Sequence, residues 1–184
     1  MKGAGVAPPR DPPPGTSALP GVALVRVDNR LVHGQVLEAW LPALGAHGIL
    51  VADDEAATNM LARAAMALAI PPKVSFQVLR LQAAADLLRP GGQGPLGQRT
   101  LVLLRDVRDA VALHDAGVPI PQLNLGNVHF GAGRRQVAPS VFLDAGELAA
   151  LDKLAASGTQ IEARAVPSEQ PLALGDIKAR FAAV

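Results

Sequence analysis

The chain has 184 residues, 49% of them hydrophobic and 18% charged, with a formal net charge of +1. That suits one folded domain with a sizeable core and argues against a disordered or fibrous polypeptide. Balanced charge, four Phe, one Trp and no Tyr leave no basic, stacking surface for nucleic acid, and the absence of cysteine removes disulfide and thiolate chemistry and suits a reducing, cytoplasmic setting.

In chain order, residues 1–21 carry Pro8, Pro9, Pro12, Pro13, Pro14 and Pro20 among glycines and small residues, which predicts a flexible tail with no core of its own. The folded domain is then 22–184. The first residues lack the apolar stretch of a secretory signal, and the greasiest helix-like segment, 61–70, is too short to span a bilayer and contains Arg63. Strands are predicted at 22–27, 49–52, 74–79, 100–104, 122–125, 137–143 and 160–166. Helices are predicted at 35–44, 55–69, 82–88, 107–115, 145–156 and 172–183, with Asp53 or Asp54 capping the second and Gly117 closing the fourth. A Gly/Pro cluster at 90–97 reads as a loop, and the apolar helical segment 60–70 either covers the sheet, which is the expected assignment, or forms a subunit contact.

Strands such as 101–104 are apolar on both faces, as required when helices cover both sides of a sheet. The expected architecture is a three-layer α/β/α domain around a mostly parallel sheet. In such sheets, ligand-handling groups collect at the carboxyl edge of the strands. His33 falls at such an edge, within VRVDNRLVHGQV, between an apolar strand and a helix.

Imidazole titrates near neutrality, so an unprotonated ring nitrogen is available to accept a phosphoryl group. Arg26 and Arg30 supply charge-assisted donors, Asp28 is placed to orient the ring, and Gly34 and Gln35 open a helix whose first N–H groups favour a phosphate. Residue types alone leave a second reading open: a polar loop in which Asp28 and Arg30 form a surface pair.

With Arg26, Asp28, Arg30, His33, Gly34, Gln35 and Trp40 in place, the segment resembles the IIB component of the mannose/fructose/sorbose family of the bacterial sugar phosphotransferase system. In that family the histidine of the R-x-D-x-R-L-x-H-G-Q-V pattern is phosphorylated. VADDE at 51–55, LNLGNVHFGAGR at 123–134 and RAVPSE at 164–169 lie where the family has comparable blocks. Position 29 is Asn, where many members carry a second Asp.

The resemblance implies a phosphohistidine–sugar phosphotransferase component with His33 as nucleophile, Asp28 orienting it, and Arg26, Arg30, Gly34, Gln35, Asn124 and Arg134 around the phosphate. His33 would accept phosphate from a phosphorylated IIA protein or domain and pass it to a sugar held by a membrane IIC/IID permease. The setting implied is cytoplasmic, with membrane association through IIC/IID. A regulatory IIB homologue, a phosphorylation-dependent interaction module without transport, is the alternative. The ring nitrogen used, the sugar and the oligomeric state stay open, a homo-oligomer included.

Asn124, Gly126, Asn127, His129, Gly131, Gly133, Arg134 and Arg135 form a second polar cluster after a predicted strand, which would join the site if its loop folds beside His33. His47 and His114 read as structural or surface residues, and Trp40 as packing. No cofactor or metal is expected: the four histidines lack ligand spacing and no cysteine assists them. Nucleotide-binding glycine motifs are likewise missing.

Overall fold

A computed structural model of the chain describes residues 21–92 and 99–183. The expected tail up to residue 20, and residues 93–97 of the expected Gly/Pro loop, lie outside the described residues. Strand β1 (Val22–Asp28) leads through the His33 loop into a helical segment, widened to π form over Val36–Trp40 and continued by α1 (Leu41–Leu44). Leu41 N–H reaches back five residues to the Val36 carbonyl, and Pro42, which has no N–H, follows immediately.

Next come β2 (Gly48–Ala52), α2 (Asp54–Thr58), α3 (Met60–Ala69), β3 (Ser75–Leu79), α4 (Leu81–Leu88), β4 (Thr100–Leu104) and α5 (Val107–Asp115). The chain continues with β5 (Gln122–Asn127), β6 (Arg135–Ala138), β7 (Val141–Leu143), α6 (Ala145–Ala156), β8 (Gln160–Ala163), β9 (Leu172–Ala173) and α7 (Leu174–Ala183).

Seven strands form one sheet in the order β3-β2-β4-β1-β5-β8-β9, parallel throughout except for the terminal β9. The two-residue period sends alternate side chains to opposite faces. Val25, Val27, Leu50, Val102, Leu104, Leu123 and Leu125 join a core built with α4, α5, α6 and α7. Leu24, Ile49, Val51, Leu101 and Leu103 join a second core with Val36, Trp40, Leu41, Leu44 and Ala56. The three-layer α/β/α fold expected from the sequence is therefore present. Its central strands β1, β4 and β2 are sealed on both faces, and their carboxyl ends converge on one edge.

Four predicted elements differ from the structure. The helix expected over 55–69 breaks at Asn59, whose extended backbone (φ −89°, ψ 101°) ends α2 and whose side chain caps α3 through Ala62 N. Segment 60–70 does not bury as expected: α3 has no buried residue, and Met60, Leu61 and Leu68 are 79–88% exposed. The reason is position, since α3 lies beside the edge strand β3, where among the described residues no further strand or helix covers it; of segment 60–70, Met66 and Ile70 pack onto the second core. An open groove of 960 Å³, lined by Met60, Arg63, Phe76, Val78 and Leu87 among others, remains between α3, β3 and α4.

The strand expected at 137–143 is a separate antiparallel hairpin, β6–β7, because Pro139 interrupts it and cannot donate to a ladder. Finally, the helix expected from 172 starts as β9, which pairs with a β8 shorter than predicted.

Candidate functional site

The alternation that builds the second core also sends Leu24, Arg26 and Asp28 to the Trp40 side of β1, while Val25 and Val27 face the other core. Asp28 is the last residue of β1 and is completely buried. Beyond it the chain turns at once: Leu31 N–H donates to the Asp28 carbonyl (2.8 Å), and Leu31 takes up a left-handed backbone with φ of +56°. The turn sends the chain back over the strand end, so that His33, five residues on, places Nε2 2.9 Å from Asp28 Oδ2.

Every acceptor position of that carboxylate is in use. Oδ2 receives Arg26 Nη2 (2.7 Å), Arg30 Nη2 (3.1 Å) and His33 Nε2; Oδ1 receives Arg30 Nε (3.1 Å) and the Arg30 backbone N–H (3.2 Å). Burial is the largest influence on Asp28 and pushes its pKa up. Hydrogen bonds from His33 and Arg30 and the charge of Arg26 outweigh it, so the carboxyl is held well below the ordinary range. An ionised Asp28 can only accept, so His33 Nε2 donates to it; in the neutral ring the lone pair is then on Nδ1. The His33 side chain retains 16% exposure.

Arg26 lies beneath this array. It has no exposed surface; beyond Asp28 its terminal nitrogens donate to Asn124 Oδ1 and to the carbonyls of Arg164 (3.2 Å) and Ala165 (3.1 Å). Its guanidinium sits 4.8 Å from the Trp40 ring centroid, with that of Arg164 at 5.3 Å from the same ring. Trp40 Nε1 donates to Ala165 O (2.9 Å), which ties the π-helical turn to the end of β8. Burial draws the Arg26 pKa down, and Asp28 opposes that shift. Gly126 is required on β5 because a Cβ there would collide with the Arg26 guanidinium.

Of the residues singled out in the sequence, the fold brings Arg26, Asp28, Arg30, His33, Gln35 and Asn124 into one network, Gln35 through Arg30 (2.9 Å). Gly34 and Gln35 are exposed beside His33, and Arg30 is 42% exposed. Arg26 and Asn124, expected to face phosphate, have no solvent-facing surface; Arg26 braces Asp28 from below and Asn124 in turn holds Arg26.

The loop after β5 does approach the His33 loop. Asn29 N–H donates to Asn127 O (3.1 Å), the Asn127 and Asn29 amides meet at 2.8 Å, and the Asn29 amide contacts His129 Nε2. Arg134, also expected to reach phosphate, is taken up by Glu147 (2.5 Å) and by the His129 carbonyl (3.0 Å), with Asp106 at 3.6 Å; it fastens this loop to α6 and the start of α5.

Asp53 plays the capping part expected of it: Oδ1 accepts from Ala56 N (2.6 Å), and Arg105 holds both oxygens. His47 is exposed at the turn before β2, and His114 lies on α5 beside Asp115. Sequence reasoning missed the left-handed Leu31, the Arg164 and Ala165 carbonyls and Glu147. The motif position of Leu31, and the RAVPSE block that opens with Arg164 and Ala165, could have drawn attention to them; Glu147 is a distant partner whose pairing with Arg134 has no local signal. Among the described residues no His, Asp and Glu cluster suited to a metal is formed, and no helix is long and apolar enough to cross a membrane.

Residues 22–182 match the family model described as the PTS system sorbose subfamily IIB component. The chain is 32% identical over 151 residues to the N-acetylgalactosamine-specific phosphotransferase enzyme IIB component 2 of Escherichia coli K12, covering 82% of this chain and 94% of that protein. It is 30% identical to the E. coli K12 mannose-specific EIIAB component, where the match covers 85% of this chain but only 48% of that longer protein. Among solved structures, the IIBSor domain of the sorbose permease from Klebsiella pneumoniae superimposes with a TM-score of 0.77 at 27% identity, covering 86% of this chain and 96% of that one. The manxB protein from Thermoanaerobacter tengcongensis gives 0.79 at 25%, covering 87% and 96%.

Proposed function

Because the chain belongs to the sorbose subfamily of phosphotransferase-system IIB components, we propose that it is a phosphohistidine carrier working through Nδ1 of His33. The donor is the phosphohistidine of a IIA protein or domain, and the final acceptor is a sugar bound by a membrane IIC/IID permease at the cytoplasmic face. The observation that carries this reading is the 2.9 Å contact of His33 Nε2 with a buried, ionised Asp28. Donation from Nε2 to Asp28 supports Nδ1 of the neutral ring as the nucleophile.

In the forward step the Nδ1 lone pair attacks phosphorus, a new P–N bond forms, and the P–N bond to the donor imidazole breaks with its electron pair returning to that ring. Positive charge grows on the His33 ring as the bond forms, and Asp28 stabilises it without taking the proton. Arg30 and Gln35, exposed and linked to each other, flank the incoming oxygens with the Gly34 backbone. Arg26 and Asn124 act through Asp28, and Arg134 acts by fastening the loop that carries His129. In onward transfer a sugar hydroxyl oxygen attacks phosphorus, and a P–O bond forms as the Nδ1–P bond breaks with its electron pair returning to the ring. The hydroxyl proton passes to water, and the imidazole is again neutral.

The test is to incubate the purified protein with a phosphorylated IIA donor. An acid-labile, base-stable phosphate should appear on His33, with nitrogen-15 and phosphorus-31 NMR assigning it to Nδ1. Undiminished labelling of His33→Ala would defeat the assignment, and phosphate on Nε2 would defeat the role given to Asp28.

A further inference from the structure

Leu31 is the single non-glycine residue with positive φ among the described residues. The left-handed region crowds Cβ against the carbonyl, and residues that visit it outside glycine are mostly Asn or Asp, whose polar side chains compensate locally. Leucine has no such compensation. Its side chain is instead only 3% exposed and belongs to the core that holds Val36, Trp40 and Leu41. Burial of the side chain thus accompanies an unfavourable backbone, and both occur in the turn that joins Asp28 to His33.

The consequence of that turn is geometric. Closure of Leu31 N–H onto the Asp28 carbonyl sets the Arg30 backbone and guanidinium on Asp28, and the left-handed residue then reverses the chain. Without the reversal, an extended chain would carry His33 well over 10 Å beyond the strand end. We propose that Leu31 is a positioning residue: its buried side chain anchors the left-handed turn that brings Nε2 of His33 onto Asp28. The effect on transfer rate rests on the proposed function of His33, whereas the effect on ring geometry stands apart from it.

Leu31→Met and Leu31→Ile separate backbone conformation from apolar bulk. Both keep a large apolar side chain, but isoleucine is β-branched and strongly resists positive φ. Thermal unfolding checks that each variant folds. Nitrogen-15 NMR of the labelled histidines reads the His33 tautomer, and labelling from a phosphorylated IIA donor reads transfer.

Leu31→Met should keep the Nε2–H tautomer and a rate within about twofold of the parent. Leu31→Ile should show a mixed tautomer and a rate lower by roughly tenfold. If the Ile variant matches the Met variant in both readouts, the proposal is overturned. Should the Ile variant fail to fold, Leu31→Gly decides: it permits the turn but lacks the anchor, so a mixed tautomer is expected and a parent-like tautomer overturns the idea. If the parent itself accepts no phosphate, the functional reading fails while the tautomer comparison still settles the role of Leu31.

Discussion

Asp28 and Asp53 occupy similar places. Asp28 ends β1 and Asp53 follows β2, both at the carboxyl edge of the same sheet; both are buried, both hold an arginine, and both carboxyls lie below their ordinary pKa. They differ in where the remaining hydrogen bonds go. Those of Asp53 end on Ala56 N and Arg105, which closes a helix cap with nothing left to react. Those of Asp28 run down to buried Arg26 and up to His33, whose side chain keeps 16% exposure. A depressed carboxyl pKa therefore does not mark a reactive site by itself; the identity of the last partner in the chain of hydrogen bonds does.

Exchanging the carboxylates one at a time should split the two roles. Asp28→Asn removes the charge opposite both Arg26 and the developing imidazolium, and transfer to His33 should fall by about 10²- to 10⁴-fold. The same change leaves Arg26 buried without its counter-charge, costing about 3–5 kcal/mol in denaturant unfolding. Because the folded pKa of Asp28 is depressed, its stabilisation is complete above the unfolded carboxylate value of about 3.9 and is lost as pH falls through the lower, folded value. The acid limb of the parent's stability curve should accordingly shrink in Asp28→Asn.

Asp53→Ala, by contrast, should cost about 1–2 kcal/mol through the lost α2 cap while transfer stays within about threefold of the parent. A tenfold loss of transfer in that variant would erase the distinction drawn between the two carboxylates.

A third carboxylate sharpens it further with a smaller effect of opposite sign. Asp109 completes the capping box of α5, and burial, reinforced by Asp106 and Asp53, pushes its pKa up to about 6. A raised carboxyl pKa costs stability when ionised, so this cost is present above pH 6 and is relieved as pH falls toward the unfolded value of about 3.9. Between pH 7 and 5 the parent should gain about 1 kcal/mol from this group. Asp109→Asn should flatten that part of the curve without changing the rate at His33.

Most of the fold was legible because its signals are local. The central strand at Thr100–Leu104 and helices at Val107–Asp115 and Ala145–Ala156 follow from apolar runs, helical periodicity, caps and closing glycines, and they agree with the structure. The elements that deviated depend on neighbours. Segment 60–70 is apolar enough for a core, but α3 lies at the sheet edge, and its composition carries no information about that placement. At the site, the motif named Arg26, Asp28, Arg30 and His33. It could not tell that Arg26 is sealed beneath Asp28 while Arg30 is exposed, because the difference is set by Trp40, Asn124 and two carbonyls near residue 165.

The sequence by itself determined an α/β chain with a histidine, an aspartate and two arginines at a strand end, since residue types and two-residue alternation are properties of adjacent positions. Only the tertiary structure decided which nitrogen of His33 meets Asp28 and which cations face solvent. It also decided that a leucine must bend left-handed to bring them together. Those outcomes rest on hydrogen bonds and burial between residues up to 139 positions apart, and such contacts exist only once the sheet has closed around them.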